Sequence, residues 1–210
     1  GGSGIGGDRG TTAHHRSHGH VSSHAYDCNQ APFDIDIFRA VLCAGLFPKL
    51  ACVKKKGRRN KLKTHEDGSV DIHPSSVNSE FSTTFPFKWL VYGEKVKTQK
   101  VFLRDSTCVP TYAVLLLGGS LDVVQDDDTE DSYGVTVLDG AYTFAAPSHT
   151  VSLIRQLRDT IDRLLTLKAR DPGFEFNNSN SHGVIGAVKA LMAEEEAASN
   201  GGRFGGGDKY

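Results

Sequence analysis

The stretch WLVYGEKVKTQKVFLRDST, residues 89–107, contains two segments that predict neighbouring β-strands. Trp89–Tyr92 and Lys100–Arg104 are rich in β-branched and aromatic residues, which suit the pleated surface of a sheet. The apolar run 110–119 follows, and its first proline and closing pair of glycines predict a short buried helix. Two strands and a buried helix are therefore the starting point for the fold.

An opening helix is predicted upstream, within residues 33–47. Asp34 or Asp36 provides an acidic cap, and Gly45 with Pro48 stops the helix. Apolar side chains at helical spacing, which indicate its inward face, are Ile37, Val41, Ala44 and Leu46.

Strand-like sequence fills the interval between this helix and residue 89. Lys49–Val53 predicts a strand that the basic residues 54–63 interrupt, and Asp67–Gly68 predicts a hairpin turn. The turn leads into a further strand at Val70–His73. The chain therefore continues the β pattern on this side.

The β pattern also resumes after the buried helix. Leu121–Val124 predicts a strand, and Asp139–Gly140 predicts a second hairpin turn. The apolar residues that alternate about this turn are Val135, Val137, Tyr142 and Phe144. Ser148 then caps a long amphipathic helix, and 184–196 predicts another. The apolar stripe of the long helix comprises Val151, Ile154, Leu157, Ile161, Leu164 and Leu165.

Together these elements predict an α+β fold. We expect a small, partly open β-barrel of about five strands, with an opening helix, an inserted helix and C-terminal amphipathic helices. Residues 1–32 form a Gly/His-rich tail that is too polar to order itself, and 198–210 form a similar Gly-rich tail. Between them we expect a barrel domain at 33–147 and a helical segment packed on it at 148–197.

Composition narrows the class of protein. The formal net charge is -1, but the charges are segregated into the basic residues 54–63 and an acidic block at 126–131. No apolar run is long enough to cross a membrane, and the N-terminus lacks the pattern of a secretion signal. We expect an intracellular protein of the nucleus or cytoplasm that does not bind membranes. Its four cysteines, at 28, 43, 52 and 108, show no metal or disulfide spacing and are expected to be reduced and buried.

Several motifs that resemble chemical sites lack the required context. Residues 2–7 match G-x-G-x-x-G without a preceding strand or a following helix, and the histidines between 14 and 24 lack fixed carboxylate or thiolate partners. The acidic block lacks the glycine and ligand spacing of an EF-hand. Neither an activated nucleophile nor a phosphate-binding P-loop is recognisable. We therefore assign no catalytic residue, metal site or cofactor to this chain.

The basic stretch VKKKGRRNKLK, residues 53–63, is the strongest candidate for binding. Its like charges repel one another unless a polyanion or solvent screens them. A solvated loop or a nuclear-import signal is one interpretation; contact with nucleic acid is the other, because the loop between the first two strands of an oligonucleotide-binding barrel contacts its ligand. The candidate residues are Lys54, Lys55, Lys56, Arg58, Arg59, Lys61 and Lys63.

A second candidate cluster follows the strand at Trp89–Tyr92. Lys95, Lys97 and Thr98 offer charge and a hydroxyl group, which suit contacts to phosphate and 2′-hydroxyl groups. The alternative is that these are strand-edge lysines that discourage aggregation.

Five blocks, in order and at the right spacing, resemble the C-terminal oligonucleotide-binding (OB)-fold domain of DEAH-box RNA helicases, closest to the RNA helicase A branch. They are AVLCAGLFPKLACV (40–53), VDIHPSSVN (70–78), WLVYGEKVKT (89–98), VFLRDST (101–107) and YAVLLLGG (112–119). The resemblance extends to about residue 192. The Gly/His-rich tail stands where the family has its helical bundle and motor domains.

The resemblance implies that Lys95, Lys97 and Thr98 face RNA and that residues 54–63 form a neighbouring contact loop. The block HPSSVN implies that His73, Ser75 and Ser76 either contact RNA or form a structural turn. The motor domains bind ATP in this family, so ATP and Mg²⁺ are expected only if this chain is attached to them. Whether the chain is part of an enzyme stays open.

Two functions remain as expectations. In the first, the chain holds mainly single-stranded RNA by its backbone with little sequence specificity. In the second, it docks on helicase motor domains, in cis or in trans, or on another partner, and the basic loop is an import signal. The long amphipathic helix favours docking only if its stripe is not used to pack against its own barrel.

Overall fold

The structure is a computed structural model that describes residues 1–2, 34–56, 59–79, 85–125, 132–176 and 179–200. The elements in chain order are α1 (Ile35–Leu46), β1 (Leu50–Lys56), β2 (Arg59–Thr64), β3 (Gly68–Ile72), a 3₁₀ turn (Val77–Ser79), β4 (Trp89–Lys97), β5 (Val101–Val109), α2 (Thr111–Leu117), β6 (Leu121–Gln125), β7 (Ser132–Val137), β8 (Tyr142–Pro147), α3 (Ser148–Arg170) and α4 (Ser179–Asn200).

Strands β1 to β5 form a closed barrel in the order β1-β2-β3-β5-β4. All neighbouring pairs are antiparallel except β3 and β5, which run parallel. The remaining strands form an antiparallel sheet in the order β6-β7-β8. The prediction of an α+β fold with a five-stranded OB-type barrel is confirmed, although the barrel is closed rather than partly open, because β1 pairs with β4.

Strands β1 and β4 bury both of their faces. Ala51 and Leu90 point into the barrel, where they join Leu62, Val70 and Leu103 in one apolar cluster. The alternate residues point outward into a second cluster that the helices and the second sheet cover, namely Leu50, Cys52, Trp89 and Val91. Because both faces are buried, these strands read as continuous apolar runs rather than as alternating ones.

The β4–β5 pair bends sharply at Gly93 and Asp105. Asp105 has φ 51°, and a Cβ on Gly93 would lie 3.2 Å from the Asp105 Cβ. Before Asp105, the odd-numbered Leu103 lies inside the barrel. After it, the even-numbered Cys108 packs against the same interior cluster, so the inward-facing positions of β5 change from odd to even at this bend. Glycine is therefore required for the close approach at which the pair curves around the barrel.

Helix α2 is held between two charged side chains from the C-terminal helices. The Glu195 carboxylate accepts hydrogen bonds from the backbone N–H groups of Thr111 (2.8 Å) and Tyr112 (3.1 Å) at its N-terminus. At its C-terminus the Arg158 guanidinium donates to the carbonyls of Leu115 (2.7 Å), Gly118 (3.0 Å) and Gly119. Both charges oppose the partial charge of the helix end that they contact, so α3 and α4 are part of the barrel's own packing.

The buried face of α1 differs from the prediction. Asp34 is the cap, accepting from the N–H groups of Asp36 and Ile37 at 3.2 Å. Ala40 and Cys43 are buried, whereas Val41 is 63% exposed. The expectation that Val41 and Ala44 face inward is wrong, because the helix packs through the stripe that contains Ala40 and Cys43.

The C-terminal helices agree better with the sequence. Val151, Ile154 and Ile161 are buried on α3, as its stripe predicted, although Leu165 is 53% exposed. Helix α4 continues through residues 198–200, which were expected to lie in the tail, and Ser199 Oγ donates a hydrogen bond to the Pro86 carbonyl. The rest of both predicted tails, from residue 3 to 32 and from 201 to 210, and the acidic block lie outside the described residues. None of the described helices is long and apolar enough to cross a membrane.

Candidate nucleic-acid interface

The basic stretch forms a β-hairpin rather than a loop. Strand β1 continues to Lys56 and β2 starts at Arg59, with Lys54 opposite Lys61 and Cys52 opposite Lys63. The prediction that these residues interrupt a strand is wrong, because Val53 and Leu62 pack on the barrel interior and the lysines take the alternate positions. Lys55 lies opposite Asn60, and Arg58 lies outside the described residues.

Three lysines of this hairpin, Lys54, Lys61 and Lys63, share its outward face; we call them the hairpin lysines. Lys61 and Lys63 are exposed, and Lys54 is half-buried. Within the part of the chain that the structure describes, none of the three has an ion-pair partner. Like charges directly opposite each other, as at Lys54 and Lys61, are destabilising. The hairpin therefore presents positive charge that carboxylates of the described chain leave unneutralised.

Three other cations of the barrel, in contrast, have carboxylate partners. Lys95 Nζ contacts Glu66 and lies 2.5 Å from Asp67 Oδ2, both in the β2–β3 turn. The hydrogen bonds that Lys95 donates to Asp67 and, to a smaller extent, to Glu66 raise the pKa of Lys95. Lys100 pairs with Asp71 at 3.2 Å, and Arg104 with Glu94 at 3.8 Å. Any phosphate that contacts Lys95 must displace two carboxylates.

Lys97 and Thr98 lie at the β4–β5 turn and are exposed. The Thr98 N–H donates to the Lys100 carbonyl at 2.8 Å, which closes the turn. Within the described residues Lys97 has no ion-pair partner. The turn therefore offers one cation and one hydroxyl group to a ligand.

The block at His73, Ser75 and Ser76 forms a hydrogen-bonded turn. The Ser76 N–H donates to the His73 carbonyl at 2.8 Å. Arg104 Nη2 lies 3.2 Å from His73 Nε2, and Ser75 Oγ lies 2.7 Å from Nδ1, to which the Ser75 N–H also donates at 3.2 Å. The imidazole is held on both sides, and its edge-to-face contact with Phe102 has a centroid distance of 5.8 Å.

An open groove of about 400 Å³ lies among β2, β3, β5 and the segment that precedes β4. Its lining includes Asn60, Ile72, Asp71, Phe85 and Phe102. A second hollow adjoins it, lined by Thr98, Gln99, Lys100 and the same Phe102. Phe102 is common to both hollows, so the groove continues toward the β4–β5 turn, whereas Asn60 lies on the face of β2 opposite to Lys61.

Comparison with known proteins agrees with this architecture. The family described as oligonucleotide/oligosaccharide-binding (OB)-fold matches residues 38–121, and the C-terminal domain in RNA helicases matches 134–194. The DExH-box ATP-dependent RNA helicase DExH1 of Arabidopsis thaliana is 39% identical over 80% of this chain. The ATP-dependent DNA/RNA helicase DHX36 of Mus musculus is 34% identical over 86%, and the ATP-dependent RNA helicase DHX29 of Mus musculus is 34% identical over 69%.

The chain belongs to the C-terminal OB-fold region of the DExH-box RNA helicases. It covers 16%, 19% and 10% of the length of the three relatives, respectively. The resemblance inferred from the five sequence blocks is therefore confirmed.

The described part of this helicase OB-fold region contains no group of three or more His, Cys, Asp or Glu side chains that could hold a metal ion. Among the described cysteines, Cys43 and Cys52 are buried and Cys108 is half-buried. Burial raises the pKa of Cys43 to about 12 and that of Cys108 to about 11. The histidines between 14 and 24 lie outside the described residues.

Two aromatic residues of the groove, Phe85 and Phe102, were not among the predicted site residues. Phe102 alternates with Val101 and Leu103, which belong to the barrel interior, so alternation alone places an aromatic side chain on the outer face of β5. That signal was available in the sequence. Phe85 precedes β4 in an irregular segment, where no period could indicate its direction.

Proposed function

We propose that this OB-fold region binds single-stranded RNA through its phosphates, with little sequence specificity, as an accessory module of a DExH-box helicase. The observation that carries the proposal is the set of hairpin lysines, which share one face of the hairpin without carboxylate partners among the described residues. A phosphate backbone removes this repulsion and releases the counterions that it had bound.

The other predicted contacts have graded roles in this proposal. Lys97 and Thr98 supply a second contact at the β4–β5 turn, while Lys95 contributes little because Glu66 and Asp67 already neutralise it. Lys55, Lys56, Arg58 and Arg59, predicted from the sequence, stay candidate RNA contacts in this proposal. The barrel portion, 33–147, carries the RNA surface, and the helical portion, 148–197, supports it. ATP hydrolysis with Mg²⁺ belongs to motor domains joined in cis or bound in trans, inside the nucleus or cytoplasm.

The salt dependence of binding tests this proposal. We would measure fluorescence anisotropy of a labelled 12-nucleotide single-stranded RNA at several salt concentrations, beside a duplex of the same sequence. Three phosphate contacts give a slope of about -2 in log K against log salt, and further contacts make it steeper. The duplex is expected to bind more weakly. Salt-independent binding, or tighter binding of the duplex, would contradict the proposal.

Docking on a partner protein is a second candidate, favoured by a specific feature of α1. Ile35, Phe38 and Val41 are 51%, 56% and 63% exposed and follow one another at helical spacing. The stripe of α3, which the sequence offered for docking, is mainly used for core packing.

Titration with purified helicase motor domains tests the docking candidate. Phe38→Ser with Val41→Ser should weaken their association at least tenfold, while Val124→Ser, an exposed residue on β6, serves as the matched control. Equal binding of all variants would exclude α1 as the docking surface. If hairpin substitutions abolish nuclear accumulation but leave RNA affinity unchanged, the basic hairpin is an import signal instead.

A further inference from the structure

We infer that Phe102 is a stacking platform for one nucleobase of the bound strand, and that the groove beside it receives that base. This inference rests on the proposed function and adds to it a contact that depends on the base rather than on the phosphate.

Phe102 is placed unlike the other large apolar residues of β5. Its neighbours Val101 and Leu103 pack on the barrel interior, whereas Phe102 belongs to neither apolar cluster and remains half-buried. The ring forms a wall common to both hollows. An aromatic ring between two open hollows provides the kind of surface on which bases stack in single-strand-binding proteins.

The ring is held in place before any ligand arrives. His73 contacts it edge to face, at an interplanar angle of 78°. The imidazole is itself fixed by Arg104 and Ser75, so the turn at HPSS positions the ring. A ring that is already ordered loses little conformational entropy when a base stacks on it. We assign His73 the role of a positioning residue.

The polar groups around the ring separate base from phosphate. Asp71, the register partner of Phe102 on β3, lines the first groove, where its carboxylate pairs with Lys100 and has acceptor capacity left for a base amino group. Asn60 in the same groove can both donate and accept. The hollow on the other side contains Thr98, with the exposed Lys97 adjacent, whereas Lys100 at its wall is paired with Asp71. The base therefore occupies the groove, and its phosphate lies at the β4–β5 turn.

Comparison of two oligomers isolates the stacking contact. One is a 12-nucleotide oligoadenylate, and the other is an abasic ribose-phosphate chain of the same length and charge. The wild-type protein should prefer the oligoadenylate by roughly 5- to 100-fold, the range for stacking one base. Phe102→Ala should abolish this preference and leave abasic affinity and the salt slope unchanged, and Phe102→Trp should restore it.

Two further variants separate stacking from folding. Phe102→Leu keeps an apolar side chain of similar reach without a π face, so it should lose the preference while its thermal unfolding stays unchanged. His73→Ala should reduce the preference in part without altering the abasic salt slope.

The outcomes distinguish this inference from the proposed function. If the wild-type protein binds both oligomers equally, or if Phe102→Leu retains the full preference, the stacking platform is refuted and phosphate binding stands. If neither oligomer binds, or if binding is independent of salt, the proposed function itself fails.

Discussion

The basic side chains of this molecule form two groups that differ in what neutralises them. Lys95, Lys100 and Arg104 each contact a carboxylate on a neighbouring strand or turn. The hairpin lysines, on the adjoining part of the same barrel, have no such partner among the described residues. Paired cations already have an anionic partner, whereas unpaired cations remain available for a polyanion. The surroundings of a lysine, more than its presence, therefore indicate where RNA binds.

The largest effect on stability is expected from a cation that donates to backbone carbonyls next to the core. Arg158→Met removes the donor to the carbonyls of Leu115, Gly118 and Gly119 and leaves them unsatisfied. The free energy of unfolding should fall by about 3 kcal/mol, measured by urea denaturation. RNA affinity should not change under conditions where the variant is folded. Arg155→Met, at an exposed position on the same helix, should change stability by less than about 0.5 kcal/mol.

Replacing the unpaired hairpin lysines should weaken RNA binding without lowering stability. The triple variant Lys54→Gln, Lys61→Gln, Lys63→Gln should bind single-stranded RNA roughly 50-fold more weakly at about 0.15 M salt, with a salt slope shallower by about 2. Its stability should be unchanged or slightly higher, because a like-charge pair is removed. Anisotropy and urea denaturation measure the two quantities. If the triple variant is destabilised but binds RNA with unchanged affinity, the hairpin lysines support the fold and do not bind RNA.

Replacing a carboxylate that has a lysine partner should have a smaller effect on the free energy of unfolding, and this effect should depend on pH. Asp34 caps α1 and accepts from Lys189 at 2.6 Å, and this hydrogen bond holds its pKa below the ordinary value of 3.8. Asp34→Ala should lower the free energy of unfolding by about 1 kcal/mol at neutral pH. Because the pKa of Asp34 is lowered in the folded state, its contribution to stability is present above the unfolded-state pKa. That contribution is lost as the pH falls through the folded-state pKa.

The difference in urea midpoint between wild type and Asp34→Ala should therefore shrink only in strong acid. Asp36→Ala is a suitable control, because Asp36 pairs with Arg39 at 3.4 Å but does not cap the helix. A difference that persists undiminished below the folded-state pKa would show that the charge of Asp34 is not what stabilises α1.

The smallest effect comes from converting a paired cation into an unpaired one. Glu66→Gln with Asp67→Asn removes both carboxylates from Lys95. If Lys95 lies within reach of the strand, RNA affinity should rise about fourfold and the salt slope should steepen by about 0.7, the contribution of one phosphate. Asp122→Asn with Asp139→Asn, at two exposed positions of the β6–β7–β8 sheet, controls for the loss of two negative charges. A similar gain in both variants would indicate a long-range charge effect.

Much of the barrel follows from local sequence patterns. Apolar blocks gave β1, β4 and β5, and the Asp-Gly pairs marked turns at Gly68 and Gly140, both of which have positive φ. Strand β2 was missed because its basic residues hide the alternation of Asn60 and Leu62 toward the barrel. The inward face of α1 was misassigned because Ile35, Phe38 and Val41 are apolar yet exposed.

The candidate site was less predictable than the fold. The sequence located the basic residues but could not show that Glu66 and Asp67, about thirty residues before Lys95, neutralise it across strands. It also missed Phe102, although period-two alternation with Val101 and Leu103 points it outward. Ion pairing between distant segments depends on the register of the closed barrel, which local patterns do not determine.

The most direct test compares two variants that each lose three positive charges from different groups. One carries Gln at the hairpin lysines, Lys54, Lys61 and Lys63, and the other carries Gln at Lys95, Lys100 and Lys189, each of which has a carboxylate partner. Anisotropy of the same single-stranded RNA over a salt series should show a slope shallower by about 2 for the first and nearly unchanged for the second. Equal losses in both variants, or a larger loss in the second, would contradict the claim that unpaired cations of the hairpin bind the RNA.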